Sequence, residues 1–207
     1  QKHANTALVL GNIWRAGFTS RVRIARELGL YRSTVTNILA SLIDDDLVRE
    51  GDPIDMQESG RKPISLSING SFGHVVGIDL QPSHYIAIAV DLTGKVLLER
   101  SGENVREDMA QSVEDILGSM ELDLAVLGTP LLAICVAIPG VVDTQKNIIK
   151  RALLFNVTEY DMQGKLSELQ VPVLMENDAN CCAWWHLSRK DSTQVDNFIC
   201  VFGDYHD

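Results

Sequence analysis

The apolar residues of this chain change their spacing near residue 70, and that change limits the folds open to it more than any other feature. Val35, Ile38, Leu39, Leu42 and Ile43 recur every three to four residues, the period of one face of an α-helix. From His74 onward apolar residues alternate or run together, as in His74-Val75-Val76-Gly77-Ile78-Asp79-Leu80, residues 85–90 and residues 131–138. Such runs are strands, and the last has the continuous apolar character of a strand buried on both faces. Helices first, then strands alternating with helices, argue for two units. The polar stretch Asn69-Gly70-Ser71-Phe72-Gly73 supplies the boundary, giving residues 1–70 and 71–207.

In the first unit, residues 5–16 read as a helix with Leu8, Ile13 and Trp14 available for a core. Ser20 suits the N-cap of a helix over 21–28 that ends at Gly29. A short turn leads into the amphipathic third helix. At roughly 100° per residue, Ser33, Thr36, Asn37 and Ala40 point away from its apolar stripe. Small hydrogen-bonding residues on such a face can meet base edges in a major groove. A strand over 47–50, a loop through Gly51 and Gly60, and the strictly alternating strand 64–68 make a wing. At its base, Gly60-Arg61-Lys62-Pro63 joins an extended backbone to two cations, which suits a narrow minor groove. The unit therefore reads as a winged helix-turn-helix, with Arg32, Ser33, Thr34, Thr36, Asn37, Arg61 and Lys62 as its DNA contacts. Two other readings stand beside this one: a small helical domain with a solvated polar face, and an adaptor whose winged domain binds protein. The run Asp44-Asp45-Asp46 ends the third helix and reads as a solvated face turned away from phosphate.

The net charge of −10 over 207 residues opposes DNA binding until its distribution is considered. Residues 1–70 hold nine Lys and Arg against eight Asp and Glu, and residues 71–207 hold nine against twenty. Arg15, Arg21, Arg23, Arg26 and Arg32 cluster with a single acid, Glu27, between residues 15 and 37. Screening makes such a local patch count more than the sum. Four cysteines occur, Cys135, Cys181, Cys182 and Cys200, with no C-x-x-C pair. That spacing suits neither a disulfide framework nor a zinc site, and no metal ligands are expected. Nothing reads as a signal peptide or a membrane span, so the expectation is a reduced, cytoplasmic compartment.

The second unit begins with a three-strand meander, 74–80, 85–90 and 96–99, and a helix around 108–120. The strand 131–138 ends at Pro139-Gly140. A helix over 162–169, a strand over 171–175, a helix over 179–187 capped by Glu176-Asn177-Asp178, and a strand over 197–201 follow. Asp79, Gly140 and Asn177-Asp178 all fall just past strand ends, the edge where open α/β sheets bind ligands. The triplet Glu176-Asn177-Asp178 suits helix capping as well as ligand contact.

Four segments make the order of motifs similar to the ROK family of repressors, uncharacterised reading frames and sugar kinases. They are Gly60-Arg61-Lys62-Pro63, Val76-Gly77-Ile78-Asp79-Leu80, Ala137-Ile138-Pro139-Gly140-Val141-Val142-Asp143, and Val171-Pro172-Val173-Leu174-Met175-Glu176-Asn177-Asp178-Ala179-Asn180. The resemblance implies an α/β chain: a winged head, then the first lobe of an actin-like ATPase (ribonuclease H-like) sugar-kinase fold. It implies that Asp178 is equivalent to the kinase base and that Asn177 contacts sugar hydroxyls, with Gly140 beside them. The resemblance implies Asn156 as a further sugar contact, although Phe155 and Val157 depart from the usual Pro-Asn-Leu. Kinases of the family cradle phosphate on two consecutive glycines after the first strand. Here Asp79-Leu80-Gln81-Pro82-Ser83-His84 retains the Asp, lacks both glycines and places Pro82 where an N–H is needed. The expectation is sugar binding without phosphoryl transfer. The chain then reads as a sugar-responsive regulator of carbohydrate genes, a homodimer on operator DNA with a sugar or sugar-phosphate effector and no cofactor. The alternative is an ATP-dependent sugar kinase carrying a DNA-binding head. The family's second lobe and zinc site are expected beyond residue 207, which makes this chain a truncated form or part of a longer protein.

Overall fold

The structure, a computed structural model, describes residues 2–53 and 62–188. Gly60, Arg61, Cys200, His206 and the strand expected over 197–201 lie outside the described residues. The chain divides into two compact units, with the break between Phe72 and Gly73.

The first unit runs α1 (Lys2–Ala16), α2 (Arg21–Leu28), α3 (Arg32–Asp44), β1 (Val48–Pro53) and β2 (Ile64–Ile68). Both ends of α2 are fixed by local chemistry. Ser20 Oγ accepts the Arg23 N–H at 3.4 Å, and Gly29 ends the helix in the left-handed region at φ 63°. α3 starts at Tyr31 with no side-chain cap. Antiparallel β1 and β2 pair Val48 with Ile68 and Glu50 with Leu66. Thr19 adds a bridge that sequence reading did not find: it exchanges two backbone hydrogen bonds with Leu66, at 3.0 and 2.9 Å. Val9, Ile13, Ile24, Val35, Leu39 and Leu66 form the centre of the core. Each buried aliphatic side chain of this size contributes about 1.5–3 kcal/mol. Two expected core residues are outside it, since Leu8 is 48% and Trp14 42% exposed. Ile13 is buried as expected, and Val9, four residues before it, completes the inward face of α1.

The second unit contains β3 (His74–Leu80), β4 (His84–Asp91), β5 (Val96–Glu103), α4 (Met109–Val126) and β6 (Leu131–Ile138). β7 (Val141–Asp143), β8 (Ile148–Ala152), β9 (Val157–Tyr160), α5 (Met162–Lys165), β10 (Val173–Asn177) and α6 (Asp178–Ser188) follow. Five strands form a mixed sheet in the order β10-β6-β3-β4-β5, with β10, β6 and β3 parallel. The buried face carries Val76, Ile78, Ile134, Val136 and Val173, against Met109, Val113 and Ile116 of α4. Burial along β6 alternates: Ile134, Val136 and Ile138 are buried, whereas Cys135 and Ala137 are half-buried. The expected two-sided burial of this strand is therefore only partial. Cys181 is likewise half-buried on α6 and Cys182 exposed.

Sequence reading missed the three-stranded antiparallel sheet β7-β8-β9 between Gly140 and α5. The helix expected over 162–169 is one α-turn followed by a 3-10 turn, Ser167–Leu169, that ends with Gln170 at φ 54°. Among the described residues, the outer edge of β10 is bonded by side chains rather than by another strand. Gln163 Oε1 accepts the Val173 N–H at 2.6 Å, and Asn147 Oδ1 accepts the Met175 N–H at 3.0 Å. Asn147 Nδ2 donates to the Val173 carbonyl at 2.6 Å.

Candidate functional site

The parallel strands β3, β6 and β10 bring their carboxyl ends to one edge. Register places Asp79 beside Ala137 and Asn177 beside Ile138, so the sequence-distant residues Asp79, Gly140, Asn177 and Asp178 lie close together. Gly140 follows β6 where β8 passes closely. A Cβ on it would sit 2.8 Å from the Arg151 carbonyl oxygen and 3.0 Å from Ala152 Cβ, so only glycine fits without a shift. Its carbonyl accepts the Asn177 side-chain amide at 2.9 Å.

Asn177 uses both ends of its amide within the fold. Oδ1 accepts the Asn180 N–H at 3.0 Å, which caps α6, and Nδ2 holds Gly140. Asp178 opens α6 and is half-buried. Its Oδ1 accepts the adjacent Ala179 N–H at 2.8 Å, while Oδ2 has a long contact, 3.5 Å, with Gln81 Nε2. Of the triplet, Asn177 thus has the capping geometry and Asp178 retains acceptor capacity on Oδ2.

Gln81 joins this edge and was not among the expected site residues; the sequence presented it only as a missing glycine. It is 8% exposed, and its Nε2 also donates to Asp79 Oδ1 at 2.9 Å. Its backbone carbonyl accepts Asn104 Nδ2 at 2.9 Å, and Asn104 Oδ1 accepts Ser112 Oγ at 2.9 Å. Asn104 and Ser112 are buried, which makes a continuous polar chain from α4 to Asp178. No local sequence signal could find it, because Gln81 and Asp178 are 97 residues apart.

Asn156 ends a 3-10 turn, Leu153–Phe155, in the left-handed region at φ 53°. It lines a cleft of about 650 Å³ with Pro82, Arg106, Glu107, Asp108, Leu154 and Phe155. That lining includes Pro82, the neighbour of Gln81, but neither Asn177 nor Asp178. Burial alone would raise the Asp108 carboxyl in the cleft wall. The Tyr160 hydroxyl, the Gln111 N–H and Lys165 outweigh it and hold the group below its ordinary value. Among the described residues, no group of three or more His, Cys, Asp or Glu is placed to hold a metal.

In the first unit, Arg32, Ser33, Thr36, Asn37 and Ala40 are exposed on one side of α3, and Thr34 is half-buried. The Thr36 hydroxyl donates to the Arg32 carbonyl at 2.9 Å, so its lone pairs remain as acceptors. Within the arginine cluster, Arg21 pairs with Glu50 and Arg23 with Glu27, both at 2.6 Å. The Arg23 guanidinium and the Asn12 amide hold the Glu27 carboxyl below its ordinary value. Lys62 is exposed, and Arg61 lies outside the described residues. Among the described residues, no helix is long and apolar enough to cross a membrane.

A sequence model of the ROK family matches residues 75–202, and the chain belongs to that family. The xylose repressor of Staphylococcus xylosus is 30% identical over 202 residues, which is 95% of this chain and 52% of that protein. The crystal structure of a ROK family transcriptional regulator, a homologue of the E. coli MLC protein, superposes with a TM-score of 0.67. It is 20% identical over 87% of this chain and 48% of its own. A ROK family glucokinase from Streptomyces griseus, in complex with glucose and AMPPNP, gives 0.50 at 22% identity, over 60% of this chain and 39% of its own. These likenesses show a shared α/β fold with ROK regulators and kinases. The chain spans about half the length of the curated relatives it matches.

Proposed function

We propose that this chain is the DNA-reading head and first sugar-binding lobe of a sugar-responsive transcription regulator. The observation that carries the reading is the exposed polar side of α3, set in a separate unit ahead of the ROK-matching residues. In this reading α1–α3 and β1–β2 are a winged helix-turn-helix. Ser33, Thr36 and Asn37 face base edges, while Arg32 and Thr34 lie toward the phosphates. The uncapped start of α3 leaves first-turn N–H groups for a phosphate oxygen. Arg61 and Lys62 enter the minor groove from the base of the wing.

Asp178 accepts a sugar hydroxyl on Oδ2, next to Asn177 and Gly140, and Asn156 contacts the same ligand from the cleft. Phosphoryl transfer is disfavoured because Gln81 and Pro82 replace the phosphate-cradling glycines, and Gln81 already contacts the would-be base. A homodimer presents two heads to a two-fold operator, and sugar binding shifts the population of DNA-competent states. The relative named as a xylose repressor makes an aldopentose the first effector to test.

The deciding experiment titrates the full-length protein with its own upstream DNA at two salt concentrations, with and without D-xylose, D-glucose and N-acetyl-D-glucosamine. Specific, salt-sensitive binding altered by one sugar is the expected result. Asn37→Ala should lose about 1–3 kcal/mol of operator affinity. Asp178→Ala should abolish the sugar response and leave DNA binding intact. No DNA binding under any condition, together with ATP-dependent sugar phosphorylation, would replace this reading with the kinase.

A further inference from the structure

The fold spends a buried glutamine on two carboxylates. Gln81 Nε2 lies 2.9 Å from Asp79 Oδ1 and 3.5 Å from Asp178 Oδ2, and a primary amide has two hydrogens to offer. A lysine or arginine between these acids would compete with a ligand for their oxygens more strongly, as a charged donor. A neutral amide donates to both and leaves further lone pairs on each carboxyl for a ligand hydroxyl. The bridge is also held in place. The Gln81 N–H donates to the His84 carbonyl at 2.9 Å, and the Gln81 carbonyl is tied through Asn104 to Ser112 on α4. Asn104 further fixes the turn by donating its backbone N–H to the Ser83 carbonyl at 2.9 Å. The side chain therefore enters the site from an immobilised turn, and little rotamer entropy remains to be lost on ligand binding.

We infer that Gln81 is the positioning residue of the sugar site: it sets the Asp178 carboxylate against Asp79 so that adjacent hydroxyls of one sugar can donate to the pair. The inference rests on the sugar-binding reading above and adds to it a residue that the family's phosphate loop does not supply. Gln81 acts through Asp178 and is not assigned a contact with the ligand. Removing the amide donor should loosen Asp178 without emptying the volume that Gln81 fills.

The test is calorimetric titration of the full-length protein with D-xylose, D-glucose and N-acetyl-D-glucosamine, for wild type, Gln81→Met and Gln81→Glu. Thermal melting and sugar-free operator binding are measured on the same samples. Met keeps the length and bulk of Gln and lacks the donor; Glu keeps the shape and sets a third carboxylate against the first two. Sugar affinity is expected to fall tenfold or more in the Met variant and further in the Glu variant. Melting is expected to stay near wild type in the Met variant and to fall in the Glu variant, with operator binding near wild type in both. A residue that only fills space predicts the opposite for Met, so wild-type affinity in Gln81→Met overturns the inference. If the Met variant does not fold, the Glu variant decides in the same way, and unchanged affinity there overturns it. A wild-type protein that binds none of the three sugars removes the sugar reading itself, and the role of Gln81 with it.

Discussion

At Gly140 a side chain and a neighbouring strand compete for one volume. The atoms a Cβ would meet, the Arg151 carbonyl and Ala152, belong to the backbone and stem of β8 and cannot swing aside as a long side chain would. Gly140→Ala is therefore expected to cost about 1–3 kcal/mol. The same substitution moves the carbonyl that holds Asn177, so the loss should appear as a lower denaturation midpoint and a weaker sugar response together. A midpoint equal to wild type would show that β8 yields without strain. Gly140 was legible in the sequence as the residue that follows an apolar strand. Its reason for being glycine was not, because β8 comes eight residues later as Ile148–Ala152 and carries Lys150 and Arg151, which do not read as a strand.

Among the elements, α4 is held at its start by Asp108. The carboxylate accepts the Ala110 and Gln111 N–H groups at 2.9 and 3.2 Å, which caps the helix. It also accepts the Tyr160 hydroxyl at 2.8 Å and Lys165 Nζ at 3.3 Å, so β9 and α5 are tied to the start of α4. Asp108→Ala should destabilise the second unit by about 1–2 kcal/mol, the upper part of the range for a lost N-cap. Denaturant unfolding of the variant checks this, and a change confined to a few tenths of a kcal/mol would reduce Asp108 to a solvated cap. Elements with strong local signals were the ones legible in advance. Ser20 and Gly29 bound α2, the helical stripe marks α3, and long apolar runs mark β3 and β6. β7 and β9 are three and four residues long and none of their residues is fully buried, so tertiary pairing rather than local pattern decides them. α5 is shorter than expected because the backbone leaves helical geometry at Leu166, φ −97° and ψ 21°, and continues as the 3-10 turn Ser167–Leu169.

For the molecule as a whole, acid should act in two separate windows. Burial lowers the His74 imidazole below its ordinary 6.5, so the folded chain resists a proton that the unfolded chain accepts. Stability from this source is complete above that value and is lost as pH falls below it. Glu27 and Asp108, both held below their ordinary carboxyl values, add a second loss at lower pH, as the pH falls toward and through their depressed values. Melting temperatures at pH 7.5 and 5.5 should differ in wild type and differ less in His74→Gln, which removes the titrating ring. Equal differences in the two proteins would assign the sensitivity elsewhere. The acid excess of the chain lies in residues 71–207, while residues 1–70 are close to neutral. The two rims of the five-stranded sheet have one more consequence. Asn147 and Gln163 occupy hydrogen-bonding positions on the outer side of β10, and β5 carries Glu99, Arg100 and Glu103, with Arg100 paired to Asp123. Among the described residues, one rim is covered by side-chain amides and the other carries charge, both of which disfavour pairing with a strand of a second molecule. Copies of this chain are thereby steered away from edge-to-edge polymerisation, so a concentrated refolding solution should stay clear.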